Sequence, residues 1–128
     1  MAKVLVVDDE SNIRDLLATV LCRKGHEVLL ADCGTKALEV YHREQPQVAI
    51  LDLAMPGMSG MAVLQQLRAL DFDLPVIILT GVGSDASERR ARELGVTDFL
   101  QKGFSLHQLG QALARALKQV DARDSPSS

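Results

Sequence analysis

The chain has 128 residues and a formal net charge of −3. That length fits one domain able to bury about two-thirds of the surface its unfolded chain exposes. The acidic balance, an aromatic content of 3% and the lack of tryptophan argue against direct nucleic-acid binding, which needs a basic face and stacking platforms. Cys22 and Cys33 stand eleven residues apart with no second pair, so neither a zinc site nor a disulfide framework is indicated, and two reduced structural thiols are expected. The opening Met-Ala-Lys leads into an apolar run of four residues, too short for a signal sequence or a membrane span, so a cytoplasmic location without membrane association is expected.

Taken in chain order, Val4 to Val7 forms the first apolar run. Ile13, Leu16, Leu17, Val20 and Leu21 then carry the stripe of an amphipathic helix, and Gly25 offers a left-handed stop. Further apolar runs lie at Val28 to Leu30 and at Val48 to Leu51, followed by a helical pattern with Val63, Leu64 and Leu67. Val76 to Leu79 is the fourth run. After it, Ser84 to Leu94 reads as a thinly anchored helix, with Ala86, Ala91 and Leu94 set against Arg89, Arg90 and Arg92. Phe99-Leu100 is the fifth run, and Leu106, Leu109, Leu113, Leu117 and Val120 mark a last helix opened by the capping pair Ser105 and Gln108. The folded domain is taken as 1–120, with 121–128 as a linker or disordered tail.

The runs start twenty to twenty-eight residues apart, which leaves room for a helix between each pair. Such alternation demands parallel strands with right-handed crossovers, an α/β class. Runs one, three and four are the most continuously apolar and suit the middle of a sheet covered on both faces, whereas runs two and five are more polar and suit its edges. That ranking predicts a five-stranded sheet of order 2-1-3-4-5, the flavodoxin-like doubly wound (βα)5 fold, with its ligand site where the order reverses.

Asp8 and Asp9 follow the first strand and Asp52 ends the third, so the predicted order brings three carboxylates into one crevice. Crowded carboxylates raise one another's proton affinity unless a cation compensates, and Mg²⁺ is the natural choice for hard oxygen ligands. The same acids also suit plain capping of the helix and loop that follow. Thr80 and Gly81 close the fourth run, and Lys102 follows the fifth, so a hydroxyl, an open approach and an ammonium point at the same place. Together these groups are able to hold a phosphoryl group, with an aspartate oxygen as nucleophile.

As a set, Val-Val-Asp8-Asp9-Glu10, Asp52-Leu-Ala-Met-Pro-Gly-Met-Ser-Gly, Thr80-Gly81 and Asp98-Phe99-Leu-Gln-Lys102 resemble the response-regulator receiver domain of two-component signalling, over about Lys3 to Val120. The resemblance implies Asp52 as phosphoacceptor, Asp8, Asp9, Asp52 and the Ala54 carbonyl as the Mg²⁺ site, and Lys102 as the phosphate-binding lysine. It also implies Thr80 and Phe99 as a switch pair. The implied partners are a sensor histidine kinase or phosphotransfer protein, and either an output domain beyond Ser128 or a homodimer through the face made by the fourth helix, fifth strand and fifth helix. Such a domain assists its own phosphorylation and dephosphorylation and is a switch rather than an enzyme.

Two positions depart from that pattern. Gly103 stands where the family has a proline after a cis bond, and a non-proline cis bond costs about 2.5–4 kcal/mol, so a trans or more mobile loop is expected around Lys102. Ser59 replaces an acid or amide but still caps the following helix. Two rivals remain. A phosphatase with an aspartyl nucleophile would carry a second acid where Ala54 stands, and a degenerate receiver or flavodoxin-like binder would act without phosphorylation, although the glycine-rich phosphate loop of a nucleotide binder is missing after the first strand. His26, His42 and His107 are isolated, and Met55, Met58 and Met61 are read as loop packing.

Overall fold

A computed structural model describes residues 2–55, 58–81 and 85–124. Its elements alternate as β1 (Lys3–Val7), α1 (Ser11–Arg23), β2 (Glu27–Ala31), α2 (Gly34–Glu44), β3 (Val48–Asp52), α3 (Gly60–Leu70), β4 (Val76–Thr80), α4 (Asp85–Glu93), β5 (Asp98–Gln101) and α5 (Leu106–Asp124). The strands form one parallel sheet in the order β2-β1-β3-β4-β5, as the apolar ranking predicts. β3 and β4 are buried along their whole length, while β2 and β5 are partly exposed edges.

Alternation of side chains along the strands gives the sheet two dry faces. Val4, Val6, Val48, Ile50, Ile77 and Leu79 pack with Leu17 and Leu21 of α1 and with Leu109, Ala112, Leu113 and Ala116 of α5. Leu5, Val7, Ala49, Leu51, Val76 and Ile78 pack on the other side with Ala37 and Val40 of α2, with Val63, Leu64 and Leu67 of α3, and with Ala91 of α4. Each fully buried Leu or Ile side chain favours folding by about 1.5–3 kcal/mol, so the three-layer arrangement follows from the apolar pattern. The helical stripes are narrower than their sequences suggest, since Leu16 at 43% and Leu106 at 61% exposure face solvent.

Local signals act where they were placed. Gly25 takes φ +89° after α1, and the Ser59 side chain accepts from the Ala62 N–H to cap α3. Ser105 and Gln108 satisfy each other's backbone N–H groups, at 2.8 and 3.1 Å, as a full capping box. α5 runs through Asp124, so 121–124 of the segment expected as linker or tail are helical, with Arg123 of the last turn paired to Asp71 at 3.2 Å; residues 125–128 lie outside the described residues, as does Ser84 of the predicted fourth helix. Both cysteines are free and exposed, so they are not the structural thiols expected. Arg68 is a buried cation of α3, and its guanidinium donates to the carbonyls of Leu94 and Gly95 beyond α4 and of Asp71 beyond α3.

Candidate phosphoryl-accepting site

The reversal of strand order lies between β1 and β3, and their ends deliver the acids to one crevice. Asp8 follows the row of Val4 and Val6, and Asp52 follows Val48 and Ile50, so both sit at the α1/α5 side of the sheet. Both carboxylates are fully buried. Each also braces its own loop: Asp8 Oδ1 accepts from the Glu10 N–H at 2.8 Å, and Asp52 Oδ1 from the Ala54 N–H at 3.0 Å. Asp8 and Asp52 thus brace the turns that follow their strands, but neither Asp8 nor Asp9 caps α1, whose N-cap is Glu10 with no side-chain cap bond. Arg14 of α1 fixes the turn by donating to the Asp8 carbonyl at 2.7 Å.

The second oxygens of these acids point to a cation. Asp8 Oδ2 is buried with no hydrogen-bond donor, and the Lys102 ammonium approaches it only to 3.6 Å. Burial is the largest cause pushing the Asp8 carboxyl up to about 6, opposed by the Glu10 N–H and reinforced by the charge of Asp52. Asp8, Asp9, Glu10 and Asp52 each offer a carboxylate oxygen within 4.8 Å of the others. A hard dication fits this donor set, because it relieves the mutual repulsion and gives the orphaned oxygen a partner.

Lys102 crosses from the β5 side to close the crevice. Its backbone N–H donates to the Thr80 carbonyl at 2.8 Å, continuing the β4–β5 ladder, and its Nζ reaches Asp52 Oδ2 at 3.0 Å and Glu10 Oε1 in a closer contact. Burial works against the charge on Lys102, but the bonds to Glu10 and Asp52 and the nearby Asp8 outweigh it and hold the ammonium above the ordinary lysine range.

Residues 4–114 match the model of the response regulator receiver domain. The chain belongs to that family. Receivers of this family are phosphoacceptor switches in two-component signalling. The chain is 40% identical over 119 residues to the "Probable transcriptional regulator ycf27" of Guillardia theta, covering 93% of this chain and 46% of that one. It is 36% identical over 126 residues to the response regulator MprA of Mycobacterium leprae, covering 96% and 55%. It therefore spans about half the length of the curated relatives it matches. Among solved structures, a response regulator receiver domain protein from Clostridium thermocellum superposes with a TM-score of 0.90 at 32% identity, over 95% of this chain and 98% of that one. NtrX from Brucella abortus gives 0.88 at 33% identity, over 95% of this chain and 28% of that one.

Within the receiver frame, the crevice gathers Asp8, Asp9, Asp52 and Lys102, with Thr80 buried at the end of β4 and Ala54 exposed beside Asp52. Phe99 lies apart from the acids. It pairs in register with Ile78, two residues before Thr80 on β4, so it shares the sheet face that Thr80 continues, and it packs at the rim of that core. The guanidinium of Arg92 covers its ring at 4.5 Å, a contact no sequence pattern announced. No peptide bond among the described residues is cis, so Lys102–Gly103 is trans, and Gly103 takes φ +98° with open space where a Cβ would lie. Proline, held near −65°, does not fit that backbone. Glu10 is the site residue that sequence reasoning passed over: it stands in the acidic triplet, but only the fold reveals that it meets Lys102.

Proposed function

We propose that Asp52 is the phosphoacceptor and that Lys102, Thr80 and the acids around it carry out the transfer. The observation that carries this reading is the buried Asp52 carboxylate bridged at 3.0 Å by the Lys102 ammonium, beside an unpartnered buried oxygen of Asp8. An Asp52 oxygen attacks the phosphorus of a phosphohistidine on a kinase or phosphotransfer protein, the bond from phosphorus to the donor breaks, and the phosphoryl group becomes an acyl phosphate. Asp8, Asp9, Asp52 and the Ala54 carbonyl would hold Mg²⁺, which supplies positive charge against the phosphoryl oxygens. Lys102 turns its N–H donors from carboxylates to those oxygens, and the Thr80 hydroxyl donates to them. Hydrolysis of the acyl phosphate resets the domain, which assists both reactions on itself and turns over no separate substrate.

Output follows from Thr80. Drawing its side chain toward the phosphoryl group opens space on the face it shares with Phe99, into which the ring turns, and the α4–β5–α5 surface changes. That surface would engage either a joined output domain, as the longer curated relatives suggest, or a second copy of the chain. The unit 1–120 carries all of these parts, and a cytoplasmic location belongs to the same reading.

Incubation with acetyl phosphate and Mg²⁺ tests the assignment. The wild type is expected to acquire a hydroxylamine-sensitive phosphoryl label that chelation of Mg²⁺ and Asp52→Asn both abolish. A label that persists in Asp52→Asn would overturn it.

A further inference from the structure

Three carboxylates, of Asp8, Glu10 and Asp52, meet the Lys102 ammonium in this crevice, and Glu10 is the one to which phosphoryl transfer as described gives no part. Its side chain is 54% exposed at the mouth, yet it bonds the Nζ of Lys102, a residue 92 positions away in the chain. The backbone that delivers it is fixed: the Glu10 N–H donates to Asp8 Oδ1 at 2.8 Å, and its carbonyl accepts from the Arg14 N–H at 3.1 Å. The same Nζ donates to Asp52 Oδ2 at 3.0 Å. An ammonium has three N–H donors and no more.

We propose that Glu10 is a positioning residue that holds Lys102 in the resting state through a donor which a phosphoryl oxygen must take over, so that Glu10 sets the rate at which Asp52 is phosphorylated. The proposal rests on the assignment of Asp52 as acceptor. Before transfer, Glu10 and Asp52 share the Lys102 ammonium between them. When phosphorus approaches the Asp52 oxygen, its equatorial oxygens gain charge and compete for that ammonium, and the bond to Glu10 is given up on the way. The carboxylate therefore stabilises the resting arrangement more than the transition state, and a group that does so slows the reaction.

The test compares labelling by acetyl phosphate at saturating Mg²⁺ in the wild type, Glu10→Ala, Glu10→Gln and Asp15→Ala. Asp15 is an exposed acid of α1, the helix that Glu10 precedes, and its removal takes away equal charge without touching Lys102. Glu10→Ala is expected to be labelled about two- to fivefold faster, the range that loss of one partly exposed ion pair allows, and to bind beryllofluoride more tightly by a similar factor. Glu10→Gln, which keeps the shape and loses the charge, should fall between it and the wild type, and Asp15→Ala should match the wild type. Equal or slower labelling in both Glu10 variants, or the same acceleration in Asp15→Ala, would overturn the proposal while the Asp52 assignment stands. Label that persists in Asp52→Asn is the separate result that removes the assignment itself.

Discussion

The crevice between β1 and β3 and the flank formed by α4 and β5 belong to one sheet but are built on opposite terms. At the crevice the ends of β1 and β3 are buried, and Asp8, Glu10 and Asp52 are each braced by a backbone N–H or by Lys102. On the flank, Ala91 is the one buried side chain among the described residues of α4, and the aromatic ring of β5 is held from outside by an exposed guanidinium. Recognition of a phosphoryl group needs groups fixed to within a fraction of an ångström, whereas a readable response needs an element whose rearrangement costs little. The molecule puts tight packing around the acidic crevice and thin packing on the flank that the proposed switch would move.

The largest expected effect breaks the tight side. A Cβ on Gly60, the first residue of α3, would lie 2.0 Å from the Asp52 carbonyl oxygen and 2.5 Å from the Leu53 Cα, both backbone atoms that cannot swing aside. Gly60→Ala is expected to cost about 3 kcal/mol in urea denaturation, at the upper end for overpacking, and to impair labelling of Asp52 because the end of β3 must move.

A smaller effect sharpens the electrostatic half of the contrast. Asp8 has a carboxyl pushed by burial to about 6 in the folded chain, against an ordinary value of 3.8. Its protonation therefore favours the folded state fully below about pH 4, and that contribution is lost as pH rises through about 6. With metal chelated, this site is expected to contribute on the order of 2 kcal/mol less stability at pH 7 than at pH 4, against which other groups titrate. Thermal melts across that window with Asp8→Asn isolate it: the variant should be the more stable protein at pH 7 in chelator, and its advantage should shrink toward pH 4 and when Mg²⁺ is added. An advantage unchanged across the pH window would show that the buried charge is not its source.

The smallest effect lies on the flank. Arg92→Ala removes an exposed cation–π contact and is expected to lower the stability of the unphosphorylated protein by only about 0.5–1 kcal/mol, while shifting the ring resonances of Phe99 and leaving the rate of Asp52 labelling unchanged. A slowed labelling rate would mean that the flank is coupled to the crevice before any phosphoryl group arrives.

Much of this contrast was legible in the sequence. Five apolar runs separated by helix-length intervals lead to the sheet order, and the acids at the ends of the first and third runs lead to the crevice, because strand ends are placed by topology alone. The scarcity of apolar residues between Ser84 and Leu94 likewise anticipated a lightly packed α4. The contacts of Glu10, Arg92 and Arg68 were not legible. Long charged side chains bear no periodic signature, and which of several neighbours each one meets depends on the arrangement of loops after folding. Leu16 and Leu106 misled in the other direction, since a helical stripe marks the apolar face without saying where the sheet beneath it ends.

The Arg68 clamp gives the flank a mechanical character. Two donor bonds, to the carbonyls of Leu94 and Gly95, attach the far end of α4 to the rigid body of α3. A rod secured at one end moves as a lever, and the secured end is its fulcrum. With nine residues and a rise of about 1.5 Å each, α4 is about 13 Å long, so a tilt of about 10° carries its first turn about 2 Å while its last turn hardly moves. Displacement is thereby amplified toward the end nearer β4 and cancelled beside α3, and a partner that grips the first turn of α4 feels a stroke which one docked at its last turn never registers.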